Sequence, residues 1–74
     1  MKMTAELIER TNNVYNIFKY IVALNQYRFV DMHIDTVIDF LINFTGIDPS
    51  YISRQYLAKR IISYCNEYDT GIFF

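Results

Sequence analysis

The sequence predicts a small all-α protein, a three-helix bundle in which helices two and three form a helix-turn-helix-like pair. Apolar residues recur at helical spacing in three segments, and Gly46 and Pro49 mark the boundary between the second and the third. The chain has 74 residues, of which 53% are hydrophobic. Because this length cannot supply a second core and no Pro-, Gly- or Ser-rich linker divides the chain, we expect a single helical domain over residues 1–74.

Helix one is predicted from Thr4 to about Asn25, with Thr4 as its N-cap. Its apolar residues follow a helical period: Leu7, Ile8, Val14, Tyr15, Ile17, Phe18, Ile21, Val22 and Leu24. At about 100° per residue, those from Val14 onward cover roughly half of the helix circumference, which is wider than a stripe facing one core. We therefore expect helix one to contact two surfaces.

Helix two is predicted from about Met32 to Thr45, where Gly46 ends it. Its apolar side consists of Ile34, Val37, Ile38, Leu41 and Phe44. Either Asp31 or Asp35 is expected to cap its start. These two aspartates and Asp39 are spaced four residues apart, which predicts a solvated acidic edge along the helix.

Helix three is predicted to start at Asp48-Pro49, with Asp48 as the cap and Pro49 in the first turn, and to continue to about Tyr68. Ile47 and Ile52 have the spacing of a hydrophobic staple across this start. The tail, residues 69–74, ends on Ile72, Phe73 and Phe74. Three large apolar side chains are costly to leave in water, so we expect the tail to dock, on this chain or on another.

Charge and cysteine content narrow the class of protein. Seven Lys and Arg stand against eight Asp and Glu, so the net charge is −1 and the global basic field typical of nucleic-acid-binding proteins is missing. Cys65 is the only cysteine and cannot form an internal disulfide, which favours a reducing compartment, the cytoplasm. Asp39 interrupts the richest apolar stretch, residues 37–42, so we expect no membrane-spanning segment.

No catalytic or metal-binding pattern stands out. His33 has no second His or Cys at a ligand spacing, and we interpret it as a surface or capping residue. Cys65 lies on the apolar side of helix three without a base beside it in the sequence, which favours a packing role. Asp35 and Asp39 as an acid–base pair would need an apolar pocket that a chain this small rarely encloses. We expect a protein that is not an enzyme, with no cofactor, no metal and no small-molecule substrate.

The aromatic content predicts a protein interface. Seven Tyr and six Phe are more large side chains than a domain of this size can hide, because such a domain buries only about 60% of the surface of its unfolded chain. On the helical wheel, one side of helix three lies opposite Ile52 and Tyr56, and tyrosine is enriched in binding hot spots. The predicted interface combines that side with the tail: Leu57, Ile61, Tyr64, Tyr68, Phe73 and Phe74.

The stretch Thr45-Gly46-Ile47-Asp48-Pro49-Ser50-Tyr51-Ile52-Ser53-Arg54-Gln55-Tyr56 resembles the helix-turn-helix unit of AraC-type transcription regulators, over residues 36–60. The resemblance implies that Gly46 lies in the turn, that Pro49-Ser50-Tyr51 opens the second helix, and that Ile52 and Tyr56 face helix two. Ser53, Arg54 and Gln55 would then be the DNA contacts. Lys59 and Arg60 are further cations on the same helix that could bind phosphates.

A second stretch, Val37-Ile38-Asp39-Phe40-Leu41-Ile42-Asn43-Phe44-Thr45-Gly46-Ile47, is similar to a helix end in AsiA-type anti-sigma proteins of T-even phages, which are also small, acidic and helical. That resemblance implies binding to a sigma factor or a polymerase subunit. The abundance of Ile, Asn and Tyr agrees with an AT-rich genome, such as many phage or Gram-positive genomes.

Two functions follow as expectations. The first is a protein–protein interaction module, an inhibitor or adaptor of intracellular nucleic-acid machinery such as transcription. We expect it in the cytoplasm, which is the host cytoplasm if a phage encodes it. Its partner would be another protein, a second copy of itself, or both. The alternative is a small helix-turn-helix DNA-binding regulator, which we rank second because the surface of helix three offers only Arg54, Lys59 and Arg60 as cations.

Overall fold

The computed structural model describes residues 4–74, so the first three residues of the predicted domain lie outside the described part. Three helices pack around one core: α1 (Ala5–Leu24), α2 (Ile34–Thr45) and α3 (Arg54–Glu67). The predicted all-α three-helix bundle is confirmed. The fully buried side chains at its centre come from all three helices: Val14, Phe18, Val37, Ile38, Leu41, Leu57 and Ile61.

Helix α1 begins where the sequence predicts. Thr4 is its N-cap, and its Oγ1 accepts a hydrogen bond of 3.1 Å from the backbone N–H of Leu7. The connection to α2 is anchored by Phe29, which is buried and stacks on Phe18 with the ring centroids 5.6 Å apart. This aromatic contact fixes the connection against the core.

The start of α2 differs from the prediction. Neither Asp31 nor Asp35 is its cap; His33 is, with Nδ1 accepting a 3.0 Å hydrogen bond from the N–H of Asp35. Asp31 lies before the helix with φ of 63°, so only Asp35 and Asp39 belong to the helical acidic edge. Gly46 ends α2 in the left-handed conformation, as predicted.

Helix α3 begins later than predicted. Asp48 and Pro49 start only a 3₁₀ turn, Pro49–Tyr51, after which the backbone is extended at Ile52. The cap of α3 is Ser53, whose Oγ accepts a 3.1 Å hydrogen bond from the N–H of Tyr56. The connection between α2 and α3 therefore spans residues 46–53.

Helices α1 and α3 run side by side in the same direction and pack on each other more extensively than either packs on α2. The contacts advance along both helices together. Thr11 near the start of α1 is bonded to Ser53, Tyr15 lies beside Arg60, and Phe18 meets Tyr64. Between these two helices lie two open hollows of the described surface.

Candidate protein interface

Two residues of the predicted interface lie inside the core. Leu57 and Ile61 are both 0% exposed, so they hold the bundle together and are not available to another molecule. The prediction that Leu57 and Ile61 face away from the core assumed that Ile52 and Leu57 lie on one continuous helix. The chain is extended at Ile52, so the helical wheel does not give the angle between these two side chains. Ile52 is buried in the core from the connection that precedes α3, and α3 itself has one core-facing side.

The tail docks on its own chain. The O of Gly71 accepts a hydrogen bond from the N–H of Asp31 (2.9 Å), and the N–H of Phe73 donates to the O of Met32 (3.1 Å). Ile72 is buried between these bonds. Phe73 and Phe74 stay exposed, with the ring of Phe73 edge-on to His33. Their surface is therefore open, while the backbone that carries them is fixed.

Tyr64 and Tyr68 form a pair on the α1 side of α3. Their ring centroids are 4.6 Å apart, and Tyr64 also meets the buried ring of Phe18 edge-on at 5.4 Å. Tyr64 is half-buried, whereas Tyr68 is 55% exposed. Packing on one side thus fixes an aromatic surface that solvent reaches on the other.

This pair lines two open hollows. The first, about 520 Å³, is lined mainly by Val22, Ala23, Leu24 and Asp69 together with the two tyrosines. The second, about 250 Å³, lies beside Tyr15, Lys19, Ser63 and Glu67 and shares the same two tyrosines. We call the two hollows and the tyrosine pair between them the tyrosine groove.

Charge is distributed unevenly along the tyrosine groove. The Lys19 ammonium and the Arg60 guanidinium lie 5.0 and 4.5 Å from the centroid of the Tyr15 ring, at one end. Glu67 lines the same hollow as Tyr15 and Lys19, and Asp69 lines the other hollow. Burial raises the pKa of Tyr15, an effect that Arg60 opposes, and burial also raises the pKa of Tyr64. Both phenols are neutral at physiological pH and can donate or accept a hydrogen bond.

Of the candidate DNA-contacting residues, Ser53 and Arg54 form hydrogen bonds within the chain, and the other three are exposed to solvent. Ser53 is the cap of α3. Arg54 Nη1 binds Asp39 Oδ1 at 2.8 Å, and its Nη2 donates to the backbone O of Asp35 at 3.0 Å. Gln55, Lys59 and Arg60 are exposed. Arg54 therefore joins α3 to α2, and the acidic edge serves as its partner.

The residues considered for metal binding or catalysis make structural contacts instead. His33 caps α2, as one of the two roles expected for it. Cys65 is half-buried, with Sγ 3.3 Å from Thr70 Oγ1. Within residues 4–74, no three His, Cys, Asp or Glu side chains are placed to hold a metal ion together. Among the helices described, none has both the length and the apolar character needed to cross a membrane.

Sequence reasoning missed Lys19, Leu24 and Glu67 as groove residues. They belong to two helices whose relative direction is set by tertiary packing, so no local pattern joins them. A usable signal was the width of the apolar face of α1, which predicted a second contact surface. Leu24 is part of that excess and is 71% exposed.

Comparison with known protein families, with curated protein sequences and with solved structures finds no match to this chain.

Proposed function

We propose that this protein is a small, non-catalytic protein-binding module that acts through the tyrosine groove. The observation that carries the proposal is the exposed ring of Tyr68, held by Tyr64 between two hollows. Tyrosine supplies a large contact area with a polar tip, and hot spots are enriched in it. Because Tyr64 packs on the core, little conformational entropy remains to be lost when a partner binds.

The arrangement of cations supports a protein partner over DNA. Of the three cations that α3 offers, Arg54 is bound to Asp39, so only Lys59 and Arg60 are without an ion pair among the residues that the structure describes. Non-specific DNA affinity depends on several free cations that neutralise phosphates. A net charge of −1 adds no long-range attraction.

Within this class we favour an inhibitor or adaptor of the transcription machinery, encoded by a phage and acting in the cytoplasm of its host. Support comes from the similarity of residues 37–47 to AsiA-type anti-sigma proteins and from the small, helical, slightly acidic chain. Such a function needs a binding surface and no reaction chemistry.

Tyr68→Ser tests the function directly. Binding of the wild-type protein and of this variant to purified bacterial RNA polymerase, with and without its sigma factor, is measured by biolayer interferometry. We expect the variant to bind about tenfold or more weakly, because the ring contributes hot-spot area. The matched control is Tyr20→Ser, which removes a tyrosine that is 65% exposed but lines neither hollow. Equal losses in both variants, or no binding by the wild type, would contradict the proposal.

A DNA-binding regulator is the second candidate. It is favoured by Lys59 and Arg60, which are exposed and form no ion pair within the described part of the chain. Gln55 would add a base contact beside them. If this function holds, Lys59→Ala and Arg60→Ala each weaken binding to duplex DNA and reduce its salt dependence by about one phosphate contact. Fluorescence anisotropy over a salt series measures both effects.

A further inference from the structure

We propose that the partner at the tyrosine groove is a second copy of this chain, paired about a two-fold axis at Ser63 and Tyr64 that sets the two α3 helices antiparallel. This inference rests on the proposed function, because it uses the same groove: the second copy occupies the groove in the free protein, and a polymerase subunit would replace it there. A two-fold interface uses the same surface on both copies, so that surface must be complementary to itself. The charges of α3 meet this condition.

Arg60 and Glu67 lie on one face of α3, two helical turns apart. At a rise of about 1.5 Å per residue, their backbones are separated by about 10 Å along the helix axis, with Ser63 and Tyr64 midway. A two-fold axis at that midpoint exchanges the two positions. Arg60 of each copy then faces Glu67 of the other, and the interface holds two equivalent ion pairs.

Both side chains are available for such a pair. Within residues 4–74, neither Arg60 nor Glu67 forms an ion pair, although Lys19 and Glu67 line the same hollow. Arg60 is exposed, and its guanidinium lies over the Tyr15 ring of α1, which restricts its position. A charge held in place without an ionic partner gains more from an opposite charge than a mobile one does.

The shape of this face also suits an antiparallel helix pair. Ser63 is small and exposed at the midpoint, and the ring of Tyr64 beside it is half-buried against Phe18, so the backbones can approach on the Ser63 side. The hollow beside Ser63 and Glu67, about 250 Å³, can receive side chains of the opposing helix. Tyr68 follows Glu67, so its exposed ring lies next to the ion pair and adds contact area to the same interface.

Charge exchange between two variants tests the pairing. Arg60→Glu and Glu67→Arg are each purified, and their masses are measured by light scattering from about 1 µM to about 1 mM, alone and mixed. In a dimer of either variant alone, position 60 of each copy faces a like charge at position 67 of the other copy. We therefore expect the dimer dissociation constant to rise about tenfold or more. In the mixture both pairs join opposite charges, and we expect a heterodimer with an affinity within about threefold of the wild type.

Asn43→Glu and Asn43→Arg are the controls, because Asn43 is exposed on α2, which lines neither hollow. Circular dichroism melting checks that all variants are folded. A wild type that remains monomeric throughout, single variants that dimerise as the wild type does, or a mixture that stays monomeric would each overturn the proposal. If the wild type is monomeric but Tyr68→Ser abolishes polymerase binding, the groove serves a different protein and only the dimer is rejected.

Discussion

Thr11 is a buried polar residue that joins the first helix to the start of the third. Its Oγ1 donates to the O of Leu7 at 2.7 Å and accepts from the N–H of Ser53 at 2.9 Å. Thr11→Val leaves the Ser53 N–H without an acceptor, so we expect the free energy of unfolding to fall by about 1–3 kcal/mol in urea denaturation. Thr11→Ser keeps the hydroxyl and should cost about 1 kcal/mol. A valine variant as stable as the serine variant would contradict this role.

Gly71 occupies a position that only glycine fits, whereas Gly46 needs only its backbone conformation. Both have positive φ, 73° and 70°. A Cβ at position 71 would lie 2.9 Å from Val30 Cγ2 and 3.0 Å from Val30 Cα, while one at position 46 would meet nothing within 4 Å. We expect Gly46→Ala to cost about 1 kcal/mol and Gly71→Ala about 1–3 kcal/mol more, measured by thermal unfolding. Equal losses of stability in the two variants would show that the tail shifts away from Val30 without an energetic penalty.

At the scale of the element, the 3₁₀ turn Pro49–Tyr51 depends on the ionised Asp48 carboxylate. The N–H of Ser50 donates to Asp48 Oδ1 at 2.9 Å, and Ser50 Oγ lies 2.8 Å from the same oxygen. These bonds lower the pKa of Asp48 below its ordinary value, and the bond from the backbone N–H has the larger effect. Since the folded pKa is the lower one, this contribution to stability is present above the unfolded pKa and is lost as the pH falls through the folded pKa.

We therefore expect an NMR titration of the Asp48 side chain to give a pKa below that of an unstructured aspartate. Ser50→Ala removes the hydroxyl donor and keeps the backbone one, so it should move the pKa part of the way back. An unchanged pKa in Ser50→Ala would mean that the hydroxyl contributes nothing to the turn.

The elements also show which features local sequence could predict. Thr4 and Gly46 mark their helix ends through bonds to nearby residues, and both were predicted correctly. The predicted start of α3 was wrong, because Asp48 and Pro49 begin only the single 3₁₀ turn Pro49–Tyr51. The N–H of Ser53 is held by Thr11, 42 residues away, and this distant bond helps to fix where the chain turns into α3. Ser53 itself was the readable signal, as a second cap residue close to the first.

For the molecule as a whole, the core-facing side of α3 stabilises the fold, and the proposed binding surface lies on another side of the same helix. Leu57 is fully buried, so Leu57→Ala should lower the free energy of unfolding by about 2–5 kcal/mol. Tyr68→Ser removes an exposed ring and should change it by less than about 1 kcal/mol. Guanidinium denaturation of both variants checks this. A large loss of stability in Tyr68→Ser would mean that its binding defect reports unfolding.

At this scale, the sequence was sufficient for the number of helices and for most of the core, because apolar periodicity records which side of each helix is buried. It was insufficient for the surface. Leu57 and Tyr68 carry the same apolar signal, yet one is in the core and the other is in solvent. Which of the two reaches the groove depends on how α1 and α3 are placed against each other.

The parallel arrangement of α1 and α3 has a consequence for the order of folding. Their contact is the most extensive between any two helices, but residues 25–53 separate them in the chain. That segment must close as a loop before the contact can form, and its entropy is lost at that step. We therefore expect the rate-limiting event in folding to include this non-local contact, unlike that of a bundle whose consecutive helices form hairpins. We expect folding to be slower than helix content alone would suggest.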